Sequence, residues 1–145
     1  MGHIYNAWAA FKTQVSGDTA LNVLVKTFKY NRDEQAFQKK DFGVLIAFPT
    51  SIPDESFITV PRGKIVDLII SVGGKVANEN GDSREDDIIK LDEAIKNAIE
   101  KDLTLGNKAT IVNMGASSFN MLGDIYAETS FQVRISSLRF LVGAR

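Results

Sequence analysis

A chain of 145 residues with 44% hydrophobic and 24% charged residues has the length and balance of one globular domain around a single core. The absence of cysteine excludes disulfides, thiolate chemistry and Cys-bound metal, and a single histidine, His3, argues against His-based acid–base catalysis and His-rich metal sites. The formal net charge of −1 argues against a protein that coats nucleic acid.

In chain order, Ile4, Trp8, Phe11 and Val15 recur at intervals of four, three and four, one face of a helix that Gly17 ends. Asp18 or Thr19 can cap a second, short helix or irregular segment holding Leu21, Leu24, Val25 and Phe28. Residues 26–40 are polar and basic and read as a loop, with room for a strand over Val25–Tyr30. Gly43–Phe48 is a continuous apolar run halted by Pro49, which predicts a buried strand. A brief edge strand is expected over Phe57–Val60. A longer strand follows, from Gly63 to Val76. It sets Val66, Leu68, Ile70 and Val72 on one face, and Ile65, Asp67, Ile69 and Ser71 on a partly buried other face. Gly73-Gly74 within it predicts a bulge or bend.

Residues 77–87 are expected to be a polar loop ending in a capping box from Ser83 to Asp86, with Asn80-Gly81 supplying positive-φ residues. The clearest helix follows, on the stripe Ile88, Leu91, Ile95, Ala98, Ile99 and Leu103, with Glu85, Asp86 and Asp87 in its first turn and Gly106 as its stop. Residues 108–116 read as a strand with Thr110, Val112 and Met114 on one side, and residues 117–124 as a turn. The closing strand alternates most cleanly: Thr129, Phe131, Val133 and Ile135 on one side, and Glu128, Ser130, Gln132, Arg134 and Ser136 on the other. The whole predicts one α+β domain over residues 1–145. Its sheet is mainly antiparallel or mixed, with two principal helices packed on one face.

The motifs that would carry chemistry fail on inspection. An EF-hand reading of the Asn78–Asp82 stretch puts Val76, with no side-chain oxygen, at the first ligand position. A phosphate loop ending in Gly73-Gly74-Lys75 lacks its first glycine, at Ile69, and its hydroxyl, at Val76. Ser71 and Lys75 are one residue too far apart for a Ser-x-x-Lys nucleophile. Glu85, Asp86, Asp87, Asp92 and Glu93 spread over several helix faces and read as a solvated surface. No apolar run approaches the length of a membrane span, and no basic stretch followed by an apolar core opens the chain. The expectation is a non-enzymatic protein without cofactor or metal, made in the cytoplasm.

Charge is distributed unevenly. Residues 26–40 hold five basic and two acidic side chains, whereas residues 79–93 hold seven acidic and two basic ones. Two readings stand: local compensation on one surface, or complementary edges on adjacent subunits.

Four features follow one another in order. These are the N-terminal helix with Leu24–Tyr30 after it, a strand ending at Phe48-Pro49, a long strand over Lys64–Val76, and the amphipathic helix closed by Asp102-Leu103-Thr104-Leu105-Gly106 before the closing strands. In this layout the chain resembles the tail terminator, or tail completion, proteins of long-tailed bacteriophages. The resemblance implies a virion structural protein, assembled in the host cytoplasm into a ring, usually hexameric. Such a ring caps the tail tube, ends its growth and meets the head–tail connector protein. DNA then passes through the lumen without sequence-specific binding, and no membrane, cofactor or catalytic residue is involved. Our own candidates for subunit or lumen contacts are Gln132 and Arg134 on the closing strand, Asp86 and Asp87 on the helix, and Lys39 and Lys40 in the basic loop. Two alternatives remain open: another neck or head-closure subunit, and a small-molecule-binding α+β domain.

Overall fold

The computed structural model describes residues 3–31, 43–53, 59–60 and 63–140. Two helices open the chain, α1 (His3–Ser16) and α2 (Thr19–Leu24). Strands β1 (Thr27–Lys29), β2 (Val44–Ser51), β3 (Thr59–Val60) and β4 (Gly63–Ala77) precede the long helix α3 (Gly81–Glu100). Strands β5 (Ile111–Met114), β6 (Ser118–Leu122) and β7 (Tyr126–Phe140) follow it. Among the described residues these strands form one sheet in the order β1-β2-β4-β7-β5, with β3 on β4 and β6 on β7. Every pairing is antiparallel except β1 with β2. The fold is therefore α+β on a mixed, mainly antiparallel sheet.

The middle of the sheet is a pair of fifteen-residue strands, β4 and β7, in register from Gly63↔Phe140 to Ala77↔Tyr126. At ~3.3 Å per residue each runs roughly 50 Å. The alternation seen in the closing strand holds: Thr129, Phe131, Val133 and Ile135 are buried, while Ser130, Gln132 and Arg134 are exposed. Across from them Leu68, Ile70 and Val72 of β4 complete the inward face. Both α1 and α3 pack on that face of β4 and β7. Phe11 and Val15 of α1 meet Leu91, Ile95 and Ile99 of α3 in the same core. Truncating fully buried Phe11 to Ala would cost about 3–5 kcal/mol.

Several boundaries differ from the sequence reading. Strand β2 runs through Pro49 to Ser51 with a register shift between them. Pro49 lies past the part of β2 that pairs with β1, and its pairing with Ile70 of β4 sits at that register shift. Gly73 and Gly74 form no bulge; they stay in register with Ser130 and Thr129. Gly74 instead lets α3 approach, since a Cβ there would lie 2.7 Å from Leu91 Cδ2 and 3.1 Å from Ile95 Cδ1.

Helix α3 starts before the expected capping box. Its N-cap is Asn80, whose Oδ1 accepts from the N–H groups of Asp82 (3.0 Å) and Ser83 (3.2 Å). Asn80 has an ordinary φ of −84°, and neither it nor Gly81 is among the positive-φ residues. Asp82 takes the first turn, which moves Glu85, Asp86 and Asp87 beyond it. Residues 118–122, expected in a turn, form β6. Val112 of β5 is buried, and that strand is shorter than expected, Ile111–Met114. The expectations for Phe57 and for Lys39 and Lys40 fall outside the described residues.

The helix also ends earlier than Gly106. It stops at Glu100, and Leu105, Gly106 and Asn107 follow in left-handed conformation at φ 51°, 66° and 69°. The Asp102 carboxylate holds this turn: Oδ1 accepts from Thr104 N–H (3.0 Å) and Thr104 Oγ1–H (2.6 Å), and Oδ2 from Gly106 N–H (2.8 Å). The reward is burial of Leu105 in the core. Gln14 of α1 completes the helix end, its Nε2 lying 3.1, 2.9 and 3.2 Å from the carbonyl oxygens of Ala98, Ile99 and Asp102. The carbonyls of Ala98 and Ile99 belong to the last turn of the helix, where a side chain from another element satisfies them; that of Asp102 also accepts from Leu105 N–H (3.1 Å).

Candidate interaction surfaces

No described helix covers the second face of the sheet, and the polar side of β7 lies on it. Register places Ser71 beside Gln132, Ile69 beside Arg134, and Asn113 on the far side of Arg134. Ile69, Asn113, Gly115, Gln132 and Arg134 border an open depression of about 240 Å³. Two of the sequence-derived candidates, Gln132 and Arg134, thus share one shallow site. Arg134 is not idle there. Its Nη1 lies 2.9 Å from Asp67 Oδ2, a diagonal pair across β4 and β7, with half of the Arg134 side chain in solvent. Such an exposed pair contributes about 0–1 kcal/mol and fixes the guanidinium more than the fold.

Asp86 and Asp87 sit on the opposite side of the sheet, on α3, so they do not join that depression. Asp86 is exposed. Asp87 Oδ2 accepts from Asn78 Nδ2–H at 3.0 Å. Asp87 also borders a second depression, of about 200 Å³, with Val23, Leu24, Lys26 and Lys90. Lys26 and Asp87, drawn from the basic and the acidic stretches, thus border the same depression.

Three features escaped the sequence reading. First, Asp92 of α3 is buried, and its Oδ1 accepts from Ser117 Oγ–H (2.8 Å) and Thr129 Oγ1–H (2.7 Å). Lys96 lies 3.8 Å from its Oδ2 and 5.0 Å from the Phe131 ring centroid. The group pins α3 to β7 and to the segment entering β6, as a buried carboxylate must find partners. Second, Phe119 and Met121 on β6 are 44% and 40% exposed, and the period of two in Phe119-Asn120-Met121 was their signal. Third, Val23 of α2 is 79% exposed.

Electrostatics follow the same contacts. Asp18 caps α2 by accepting from Leu21 N–H (2.8 Å) and is held below the usual carboxylate range by the hydrogen bond from Lys101, against its own burial. Asp102 is lowered by the Thr104 hydroxyl and then by the Gly106 and Thr104 amides. Burial pushes the Tyr30 phenol up, opposed by its hydrogen bond with Ser16. Among the described residues no three His, Asp or Glu side chains converge as a metal site, and no helix is long and apolar enough to cross a membrane.

Compared by sequence, the chain matches no protein-family model and no curated protein. Among solved structures it is similar to a chain from the virion of a native gene transfer agent particle. The two share 10% identity over 88% of this chain and 91% of that one, with a TM-score of 0.44.

Proposed function

We propose that this chain is a structural protein of a phage-like virion, of the tail terminator kind, which assembles into a ring on the end of the tail tube. What supports the reading is the order of elements. A helix precedes β1 and β2, a long strand leads into α3, the Asp102 turn follows, and the chain closes on a long alternating strand. This is the series on which the resemblance rests. Among the described residues, helices on one face of the sheet and a polar second face without one leave broad surfaces for docking rather than a cleft for a substrate. The reading assigns no catalytic step to the chain. Its partners are further copies of itself, the tube protein below and the head–tail connector above.

Solution mass together with negative-stain imaging tests it. The expected result is a closed ring with a central hole, formed alone or on tail tubes. A protein that stays monomeric at high concentration and does not halt the growth of tubes polymerising from their own tube protein overturns it.

A further inference from the structure

The joint between β4 and α3 holds a chemically labile pair, Asn80-Gly81. No other asparagine of the chain is followed by glycine, and both residues are exposed. With no side chain to obstruct it, the Gly81 backbone nitrogen can attack the Asn80 side-chain carbon Cγ. The N–Cγ bond forms and the Cγ–Nδ2 bond breaks. The amide nitrogen departs as ammonia, taking the Gly81 amide proton, and a five-membered imide closes. A water molecule then opens the imide at either carbonyl, giving aspartate or isoaspartate.

The folded chain opposes this step. Ring closure needs the Gly81 nitrogen and Asn80 Cβ eclipsed about the Cα–C bond, whereas a ψ of 118° at Asn80 turns them apart. That ψ is fixed from several sides. Asn80 Oδ1 accepts from the N–H groups of Asp82 and Ser83. The Asn80 carbonyl accepts from Arg84 N–H at 2.8 Å. Asn80 N–H donates to Asn78 Oδ1 at 2.9 Å, and Asn78 is itself tied to Asp87. Rotating ψ swings the first turn of α3 away from these partners.

We propose that Asn80 is a deamidation site gated by local opening of the start of α3, with Asn78 as the positioning residue that keeps it shut. The rate in the folded protein is then the rate in the open chain multiplied by the fraction of time the cap is open. The two products act differently. Aspartate still offers an oxygen to the two amides and adds negative charge where the helix dipole favours it. Isoaspartate routes the backbone through the side chain, so it no longer caps the helix and loosens the joint between β4 and α3.

The test is to incubate the full-length protein at mildly alkaline pH, folded and in guanidinium, and to follow the tryptic peptide Val76–Arg84 by mass spectrometry. Fragmentation separates Asn80 from Asn78, and chromatography separates the two products. Asn80 should convert about tenfold more slowly in the folded protein, the order that one helix cap provides. Asn78→Ala should raise the folded rate several-fold and leave the denatured rate unchanged. Gly106→Ala, beyond the far end of α3, should leave both rates unchanged. Gly81→Ala should slow conversion strongly in both states while keeping the fold, since a Cβ there meets nothing closer than Arg84 Nη2 at 3.9 Å. A folded parent that converts at the denatured rate, or not at all once the denatured chain has converted fully, overturns the proposal. Asn78→Ala with the parent's folded rate overturns it too. If Gly106→Ala speeds the folded rate as much as Asn78→Ala does, the opening is global and the gate at Asn78 falls.

Discussion

Gly74 of β4 lies directly beneath Leu91 of α3, so close that a Cβ on Gly74 would stand 2.7 Å from Leu91 Cδ2. Leu91 and Ile95, the two side chains it would strike, are themselves fully buried, so relieving the contact means moving core side chains. Gly74→Ala should therefore destabilise the protein by about 1–3 kcal/mol, the usual cost of overpacking, despite the better strand propensity of Ala. Gly74→Val should cost more. Urea unfolding midpoints at unchanged slope check this; an Ala variant as stable as the parent would show that α3 can lift off β4.

Asp92 is the polar counterpart of that contact. Asp92→Ala leaves the Thr129 hydroxyl buried without its acceptor, and a loss of about 2–3 kcal/mol is expected for hydrogen bonds to a charged group. Asp92→Asn keeps an acceptor oxygen and should lose less. The ordering of the two variants in chemical denaturation is the readout, and equal losses would contradict the hydrogen-bond account.

In the turn after α3, Gly106 has φ 66° and nothing within 4 Å of the position of a Cβ. Gly106→Ala therefore tests backbone strain without a clash, and should cost about 1–2 kcal/mol. Asn107, at φ 69°, belongs to a residue type that tolerates this region. Asn107→Gly should shift stability by no more than about 0.5 kcal/mol. Thermal midpoints separate the two.

The acid limb of stability should trace to Asp18 and Asp102. Both carboxyls are held below the ordinary value of 3.8 in the folded chain. A depressed folded pKa contributes stability that is complete above the unfolded value and disappears as pH falls through the folded one. Stability should thus be level above about pH 5 and decline below about pH 4. Asp18→Asn should flatten that decline, as should Lys101→Met, which removes the hydrogen bond chiefly responsible. Parallel pH profiles for parent and variants would rule the assignment out.

Local periodicity was legible in the sequence wherever one face of an element is buried. The alternation over Thr129–Ile135 and the spacing of Phe11 and Val15 both read correctly, because each side chain's fate follows from its own position in the repeat. Features set by a partner element did not read correctly. Gly73-Gly74 looks like a bulge until α3 is known to cross it. The cap is a local exception: Asn80 and Ser83 are comparable candidates until Asn80 Oδ1 is seen to reach two amides. Phe119 and Met121 were lost in a segment that looks like a turn, since five residues with one period of two carry little signal against their Ser and Asn neighbours. Of the candidate contacts, Gln132 and Arg134 were found together because they share a strand face. The separation of Asp86 and Asp87 from them depends on which side of the sheet α3 takes, a long-range fact.

Gln14 gives the chain a consequence for its dynamics. One side-chain amide near the start of the chain closes the end of α3, and that same end carries the Asp102 turn that launches β5. Opening of α1 therefore exposes the last carbonyls of α3 and loosens the turn in the same event. In native-state hydrogen exchange the amides of α1, the last turn of α3 and residues 104–109 should open as one cooperative unit, although some ninety residues of sequence separate its two parts.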